Sequence, residues 1–171
     1  DLEDLLGGFG KVHLVGKRFA VLHVATDAGQ VEVSLPRRES KTGPGHKGFT
    51  VEADPHMDPK DAARRRDFTV NAIMEDVLTG EVLDPWNGQA DLAKGLLRHV
   101  SSAFAEDPLR VLRAARFAAR FGWRIHPDTA ALCRRLDLSE LPRERLEGEW
   151  KQILIHGQFP GTGLLALELV G

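Results

Sequence analysis

The sequence contains one cysteine, Cys133, among 171 residues. That excludes an internal disulfide framework and suits a reducing, cytoplasmic compartment. Cys133 lies between Leu132 and Arg134 in a helical pattern, where it reads as a packing residue and not as a reactive thiol. No apolar run approaches the roughly 20 residues needed to span a bilayer, so no membrane association is expected. The opening residues Asp1-Leu2-Glu3-Asp4 are acidic and lack the basic start of a secretory signal. Internal repeats and low-complexity segments are absent. Net charge is also small, at −2, so the chain as a whole gives no sign of a polyanionic partner. What remains is a globular composition, 42% hydrophobic and 28% charged. Its length suits one ordinary domain or two small ones.

The charge is unevenly spread. Between Arg98 and Arg124 stand six arginines (98, 110, 113, 116, 120 and 124) against two acids, Glu106 and Asp107. A local basic face of this kind can bind phosphates even on a mildly acidic protein. Both ends read as cuts: the chain opens on Asp and closes on an apolar segment, Leu164 to Gly171, that reads as a helix start with no partner in view. The sequence is therefore expected to be part of something longer.

The first third alternates between apolar and polar residues, as strands do. Lys11 to Val15, Phe19 to Val24 and Gln30 to Leu35 are predicted to be adjacent antiparallel strands, with Asp27-Ala28-Gly29 as a turn. Arg37 to Pro59 reads as one long loop, punctuated by Gly43-Pro44-Gly45 and two further prolines. A helix is predicted from Pro59 through Arg66, a short strand at Glu81 to Leu83, a turn at Asp84 to Gly88, and a short helix from Gln89 to Lys94. From Leu97 onward helices dominate. Asp107-Pro108 opens one that stops at Gly122, with Asp as the N-cap and Pro at the first helical position. Another spans about Pro127 to Leu136. The last runs from Pro142 to before Gly157, with Leu146, Trp150, Ile153 and Leu154 on one apolar stripe. The class is α+β: a sheet-bearing part to about residue 96, then a helical part.

Two segments carry the chemistry. In Arg65-Arg66-Asp67-Phe68-Thr69-Val70-Asn71-Ala72, guanidinium forks match phosphate oxygens, while Asp67 and Asn71 suit ribose hydroxyls. A plainer account makes this a solvated basic helix end with Asp67 paired to its neighbours. In Glu106-Asp107-Pro108-Leu109-Arg110-Val111-Leu112-Arg113, Asp107 and Arg110 project from nearly the same place at a helix start. The plainer account has Asp107 capping the helix and Arg110 pairing with it. The sharper one is base recognition. Cytosine and adenine each offer an amino donor beside an unprotonated ring nitrogen; guanine and uracil present a carbonyl beside a ring N–H. One acceptor and one donor would thus take C and A and refuse G and U, because refusal leaves buried polar groups unpaired.

Arg65 to Ala72, Asp84-Pro85 with Gly88 and Asp91-Leu92, Glu106 to Arg110, and Glu144-Arg145 with Glu149 occur in an order and spacing that resembles the class II tRNA nucleotidyltransferases, or CCA-adding enzymes, and the related bacterial poly(A) polymerases. The resemblance covers roughly residues 10 to 157. It implies a polymerase-β-like nucleotidyltransferase head, residues 1–96, lacking its N-terminal catalytic part and built on an antiparallel or mixed sheet. An all-helical neck, residues 97–171, follows. It implies template-independent addition of C and A, or A alone, to the 3′ end of tRNA or another RNA. Asp67 would contact the ribose, with Arg65, Arg66 and Asn71 close by. Asp107 and Arg110 would read the base, Glu106 would hold Arg110, and Arg113 would lie near the nucleotide. The helix from Pro142 would brace the neck, and Arg37 to Pro59 would be the flexible loop associated with A addition.

One feature of that family is missing. Its Mg²⁺ site rests on an Asp-x-Asp pair after a Gly-Gly-x-x-Arg-Asp motif. Here Gly7-Gly8 is followed by Phe9-Gly10-Lys11-Val12, and Asp1 and Asp4 are wrongly spaced. Glu32 is a weak supporting carboxylate, equally readable as a surface strand residue. Two close carboxylates are needed to place Mg²⁺ on a triphosphate. The chain alone is therefore expected to transfer no nucleotide. Three readings stay open: a CCA- or A-adding enzyme, a poly(A) polymerase, and a non-catalytic nucleotide- or RNA-binding relative.

Overall fold

The computed structural model describes residues 2–15, 21–41 and 49–171. They form two compact units, Asp1–Asp58 and Pro59–Gly171.

In the first unit, helix α1 (Leu2–Gly7) precedes strands β1 (Lys11–Val15), β2 (Val21–Thr26) and β3 (Gly29–Val33), which pair antiparallel in the order β1-β2-β3. The β2–β3 turn closes where expected, because Gly29 takes φ 127°, a value that favours glycine. Alternation turns Leu22 and Val24 inward. Glu32 lies on the open side, across from His23, with its carboxylate 3.7 Å from the imidazole. Phe19 and Ala20, expected to open the second strand, lie outside the described residues. The segment read as a long loop begins and continues as a hairpin: β4 (Arg37–Lys41) pairs antiparallel with β5 (Phe49–Ala53). The polar run at 37–41 has no apolar alternation, so its strand character comes from backbone pairing with β5. Residues 42–48, the middle of the expected loop, lie outside the described residues.

The second unit starts with α2 (Pro59–Ala63), which ends short of Arg66 in successive turns, and a 3₁₀ turn over Thr69–Asn71. Strands β6 (Met74–Glu75) and β7 (Val82–Leu83) form a small hairpin, and α3 (Gly88–Ala93) follows. Strand β8 (Leu96–Leu97) pairs in parallel with β9 (Arg124–Ile125), so the part after residue 96 is not wholly helical. A 3₁₀ turn over Ser102–Glu106 leads into α4 (Leu109–Phe121), then α5 (Pro127–Cys133), α6 (Arg143–Leu154) and α7 (Pro160–Val170). Helix α4 ends as predicted at Gly122, in the left-handed conformation at φ 70°.

The core of this unit joins Phe68, Leu97, Phe104, Ile153 and the alanines of α4. Phe68 and Leu97, on either side of the boundary read from sequence near residue 96, belong to this same cluster. The apolar tail does have a partner. Helix α7 packs on α4 through Gly163, Ala166 and Val170. A Cβ on Gly163 would lie 2.6 Å from the Ala119 Cβ, so the two backbones approach closely only because this residue is glycine. The predicted stripe on α6 is also corrected. Trp150 and Leu154 are 40% and 50% exposed, while Glu149 and Ile153 are buried. Helix α6 turns Glu149 inward, where it meets Arg116 of α4.

Candidate functional site

A cavity of about 510 Å³ opens in the second unit, lined by Arg65, Arg66, Asp67, Asn71, Asp107, Leu109, Arg110, Arg113, Phe117 and Arg145. Seven of the residues singled out from sequence thus share one site, although the chain separates Asn71 from Asp107 by 36 positions. Glu106 stands beside the site through Arg65, and Glu32 belongs to the first unit. Leu109, Phe117 and Arg145 line the site without a sequence motif that assigns them to it. Phe117 is four residues beyond Arg113 and so on the same helix face. Arg145 belongs to a motif to which the resemblance gives only a bracing role.

Scaffolding brings the two segments together. Asp84 accepts from the Gly88 and Gln89 amides at 2.6 and 2.9 Å and so caps α3. Buried Asp91 then accepts from Thr69 Oγ1 at 2.8 Å and Arg98 Nε at 2.9 Å. Arg98 Nη1 is 2.7 Å from His126 Nε2. This network fixes the turn after Asp67 against β8. A Cβ on Gly88 would come within 2.1 Å of the Thr69 carbonyl oxygen, which explains glycine there.

Asp67 is 7% exposed and fully bonded. Oδ1 accepts from the Phe68 amide at 2.8 Å and from Asn71 Nδ2 at 2.9 Å. Oδ2 accepts from Arg113 Nε at 2.9 Å and Nη2 at 2.5 Å. Burial pushes this carboxyl's pKa up. The Arg113 charge and the three sets of donors outweigh that and hold it below the ordinary range. Its partner is therefore an arginine 46 residues away, not the neighbouring Arg65 or Arg66.

Asp107 Oδ1 accepts from the Leu109 amide at 3.2 Å, so it caps α4 as expected. Its other oxygen pairs with Arg145 at 3.1 Å, and not with Arg110. Arg110 instead donates to two backbone carbonyls, Ala103 at 2.8 Å and Arg65 at 2.6 Å. Burial pulls the Arg110 pKa down, more than Asp67, Asp107 and Glu106 pull it back; an arginine stays charged regardless. Glu106 does not hold Arg110 directly. It ion-pairs with Arg65, because the carbonyls already occupy the inner side of the Arg110 fork. Arg66 is exposed and has no ion pair among the described residues.

The resulting surface is cationic and polar, with one carboxylate edge. Asp107 retains acceptor capacity, and Arg110 retains three of its five N–H donors beyond the two carbonyl bonds. Among the described residues no group of three or more His, Cys, Asp or Glu is placed to hold a metal ion. The Asp67 oxygens are taken by donors. The described residues therefore do not fit a Mg²⁺ site. No helix among them is long and apolar enough to cross a membrane.

A model of the poly(A) polymerase head domain matches residues 3–98. A multifunctional CCA protein of Nitrosococcus oceani is 57% identical over 119 residues, covering 69% of this chain and 28% of that protein. The multifunctional CCA protein of Xanthomonas campestris pv. campestris is 47% identical over 165 residues, covering 92% of this chain and 39% of its own length. The chain thus spans well under half of these curated relatives. Among solved structures, the Bacillus stearothermophilus CCA-adding enzyme in complex with CTP superposes with a TM-score of 0.71 at 27% identity, covering 96% of this chain and 40% of that one. A tRNA-processing enzyme with CTP gives 0.73 at 27% identity, covering 99% and 45%.

Proposed function

Because the chain belongs to the poly(A) polymerase head-domain family, we propose that it is the nucleotide-selecting part of a template-independent RNA nucleotidyltransferase, which adds C and A from CTP and ATP to the 3′ end of tRNA. The observation that carries this reading is one cavity holding Asp107, Arg110, Asp67 and uncommitted Arg66. Asp107 accepts from the amino group of cytosine or adenine. Arg110, held from behind by two carbonyls, donates to the adjacent ring nitrogen. Arg66 meets the triphosphate as a cation with nothing to displace. Asp67 and Asn71 face the ribose. The division into a head (1–96) and a neck (97–171) belongs to the same proposal, as does Mg²⁺ on the triphosphate. The relatives' names, CCA protein, CCA-adding enzyme in complex with CTP and tRNA-processing enzyme with CTP, support CTP and tRNA as partners.

Equilibrium dialysis of this chain against labelled CTP, ATP, UTP and GTP tests the reading without requiring catalysis. CTP and ATP are expected to bind at least tenfold more tightly than UTP and GTP, since one good base-edge contact is worth about 1–3 kcal/mol. Asp107→Asn should narrow that ratio and leave the fold intact, because Asn caps a helix as well as Asp. Equal binding of all four nucleotides would refute base reading. Binding of ATP alone would mark the pocket of a poly(A) polymerase.

A further inference from the structure

Helix α4 continues beyond the cavity, and its outward face carries a pattern that runs on past the residues assigned to nucleotide selection. Val111, Leu112, Ala114, Ala115, Ala118 and Ala119 are buried, while Arg113, Arg116, Phe117, Arg120 and Phe121 remain at least partly open. Their spacing of i, i+3, i+4, i+7 and i+8 makes a single stripe. Arg116 lies 5.1 Å over the Phe117 ring and Arg120 lies 5.0 Å over the Phe121 ring. The two rings are nearly parallel, at 10° and 6.0 Å, and Trp123 stacks on Phe121 at 4.6 Å. Exposed Arg124 stands just past the helix.

The plain reading is a solvated basic face. It leaves a cost unexplained, because like charges at i, i+4 destabilise a helix. Arg113 and Arg116 are compensated by Asp67 and Glu149. Arg120 and Arg124 have no carboxylate ion-pair partner among the described residues. Guanidinium groups held over rings are pre-aimed, with N–H donors left for phosphate oxygens. The stripe also joins the cavity without a break, since Arg113 and Phe117 belong to both.

We propose that the Arg–Phe stripe of α4, continued by Trp123 and Arg124, is a track for single-stranded RNA whose 3′ end leads toward the cavity. A single strand fits because flat platforms take unpaired bases, whereas in duplex RNA the bases are stacked away and recognition is by shape. The stripe from Arg113 to Arg120 is about 10 Å long at 1.5 Å per residue. That is room for about three phosphates at 3.4 Å per stacked nucleotide. The inference rests on the proposed function for which molecule the strand belongs to and which end leads; the track itself follows from α4.

The test is fluorescence anisotropy of the whole chain with a labelled single-stranded RNA dodecamer, over a salt titration, beside CTP dialysis on the same samples. The double variant Arg120→Ala/Arg124→Ala should bind this RNA at least tenfold more weakly. Its slope of log K against log salt should fall by about 1.4, that is about 0.7 for each phosphate no longer neutralised. CTP binding should be unchanged. Arg120→Lys keeps the charge but not the planar guanidinium, and should keep most of the wild-type slope and only part of the affinity. Unaltered RNA affinity and slope in the double variant would overturn the track. So would failure of the wild-type chain to bind the RNA at low salt, equal binding of duplex RNA, or displacement by polyglutamate at equal charge concentration. Loss of CTP selectivity in the wild type with the RNA results intact would overturn the nucleotide reading and leave the track standing.

Discussion

Arg113 reaches across from α4 and closes both remaining acceptor positions of Asp67, at 2.9 and 2.5 Å, so the carboxylate is filled before any nucleotide arrives. A ribose hydroxyl can donate to Asp67 only if Arg113 gives up a bond. The pair therefore has two roles that substitutions separate. Asp67→Asn leaves a half-buried Arg113 without its carboxylate and should destabilise the chain by about 2 kcal/mol, read from chemical denaturation. Arg113→Ala frees the carboxylate. If Asp67 faces the ribose, that variant should bind ATP over dATP with at least the wild-type preference while losing stability. Asp67→Ala should narrow the preference by about tenfold. An ATP to dATP ratio that is the same in all three proteins would leave Asp67 purely structural.

Glu149 and Asp67 should tilt the pH dependence of stability in opposite directions. Burial raises the Glu149 pKa more than Arg116, Arg113 and Arg145 lower it, and its Oε2 has no hydrogen-bond partner. As pH rises above about 4.3, the unfolded chain releases this proton while the folded chain still holds it, so stability falls through that window. Glu149→Gln removes this contribution. Its melting temperature relative to wild type should climb between pH 4 and pH 7. Asp67 has a lowered pKa; its contribution is present above about pH 4 and is lost on acidification below it, so Asp67→Asn should flatten the acid limb. A Glu149→Gln difference that is constant across the range would contradict the assignment.

Gly163 and Gly88 are expected to tolerate no side chain. Gly163→Val would press on Ala119 and Ile153 and should cost about 1–3 kcal/mol, as overpacking of a tight core does. Gly88→Ala places a carbon against a backbone carbonyl that cannot swing away, and should lose more than Gly163→Ala. Thermal melts of the three variants rank them; a silent Gly88→Ala would mean that the turn at Thr69 relaxes freely.

Cys133 should be inert in the native protein. It is 2% exposed, and burial pushes its thiol up to about 11. Iodoacetamide at pH 8 is expected to modify it only after denaturant is added, as followed by intact mass. Rapid native labelling would reveal opening of the α5 region.

Much of this is legible in sequence, and the exceptions have physical causes. Alternation locates β1 to β3 because each strand carries its own apolar signal. The β4–β5 hairpin is hidden, since Arg37 to Lys41 shows its strand character only through its partner. Asp107-Pro108 and Gly122 mark the ends of α4, as local signals do. The stripe on α6 misleads because hydrophobicity points to Trp150 and Leu154, while a charged residue, Glu149, is drawn inward by Arg116. In the site, residue types and order bring seven lining residues together. Partner choice does not follow from spacing: Asp107 pairs with Arg145, 38 positions on, and Glu106 with Arg65, 41 positions back.

The close seating of α7 on α4 also limits how the cavity can respond to what enters it. With Gly163 set against Ala115 and Ala119, α4 has no slack to roll or slide on that side. Its outer residues are spaced like the marks of a ruler, at intervals fixed by helical pitch. The adjustable parts are the side chains that swivel from it and from α6, chiefly Asp107, Arg110 and Arg145. If the cavity takes both CTP and ATP, as proposed, their different sizes would be met by exchanging torsion angles and ion-pair partners, with the backbone beneath keeping its place.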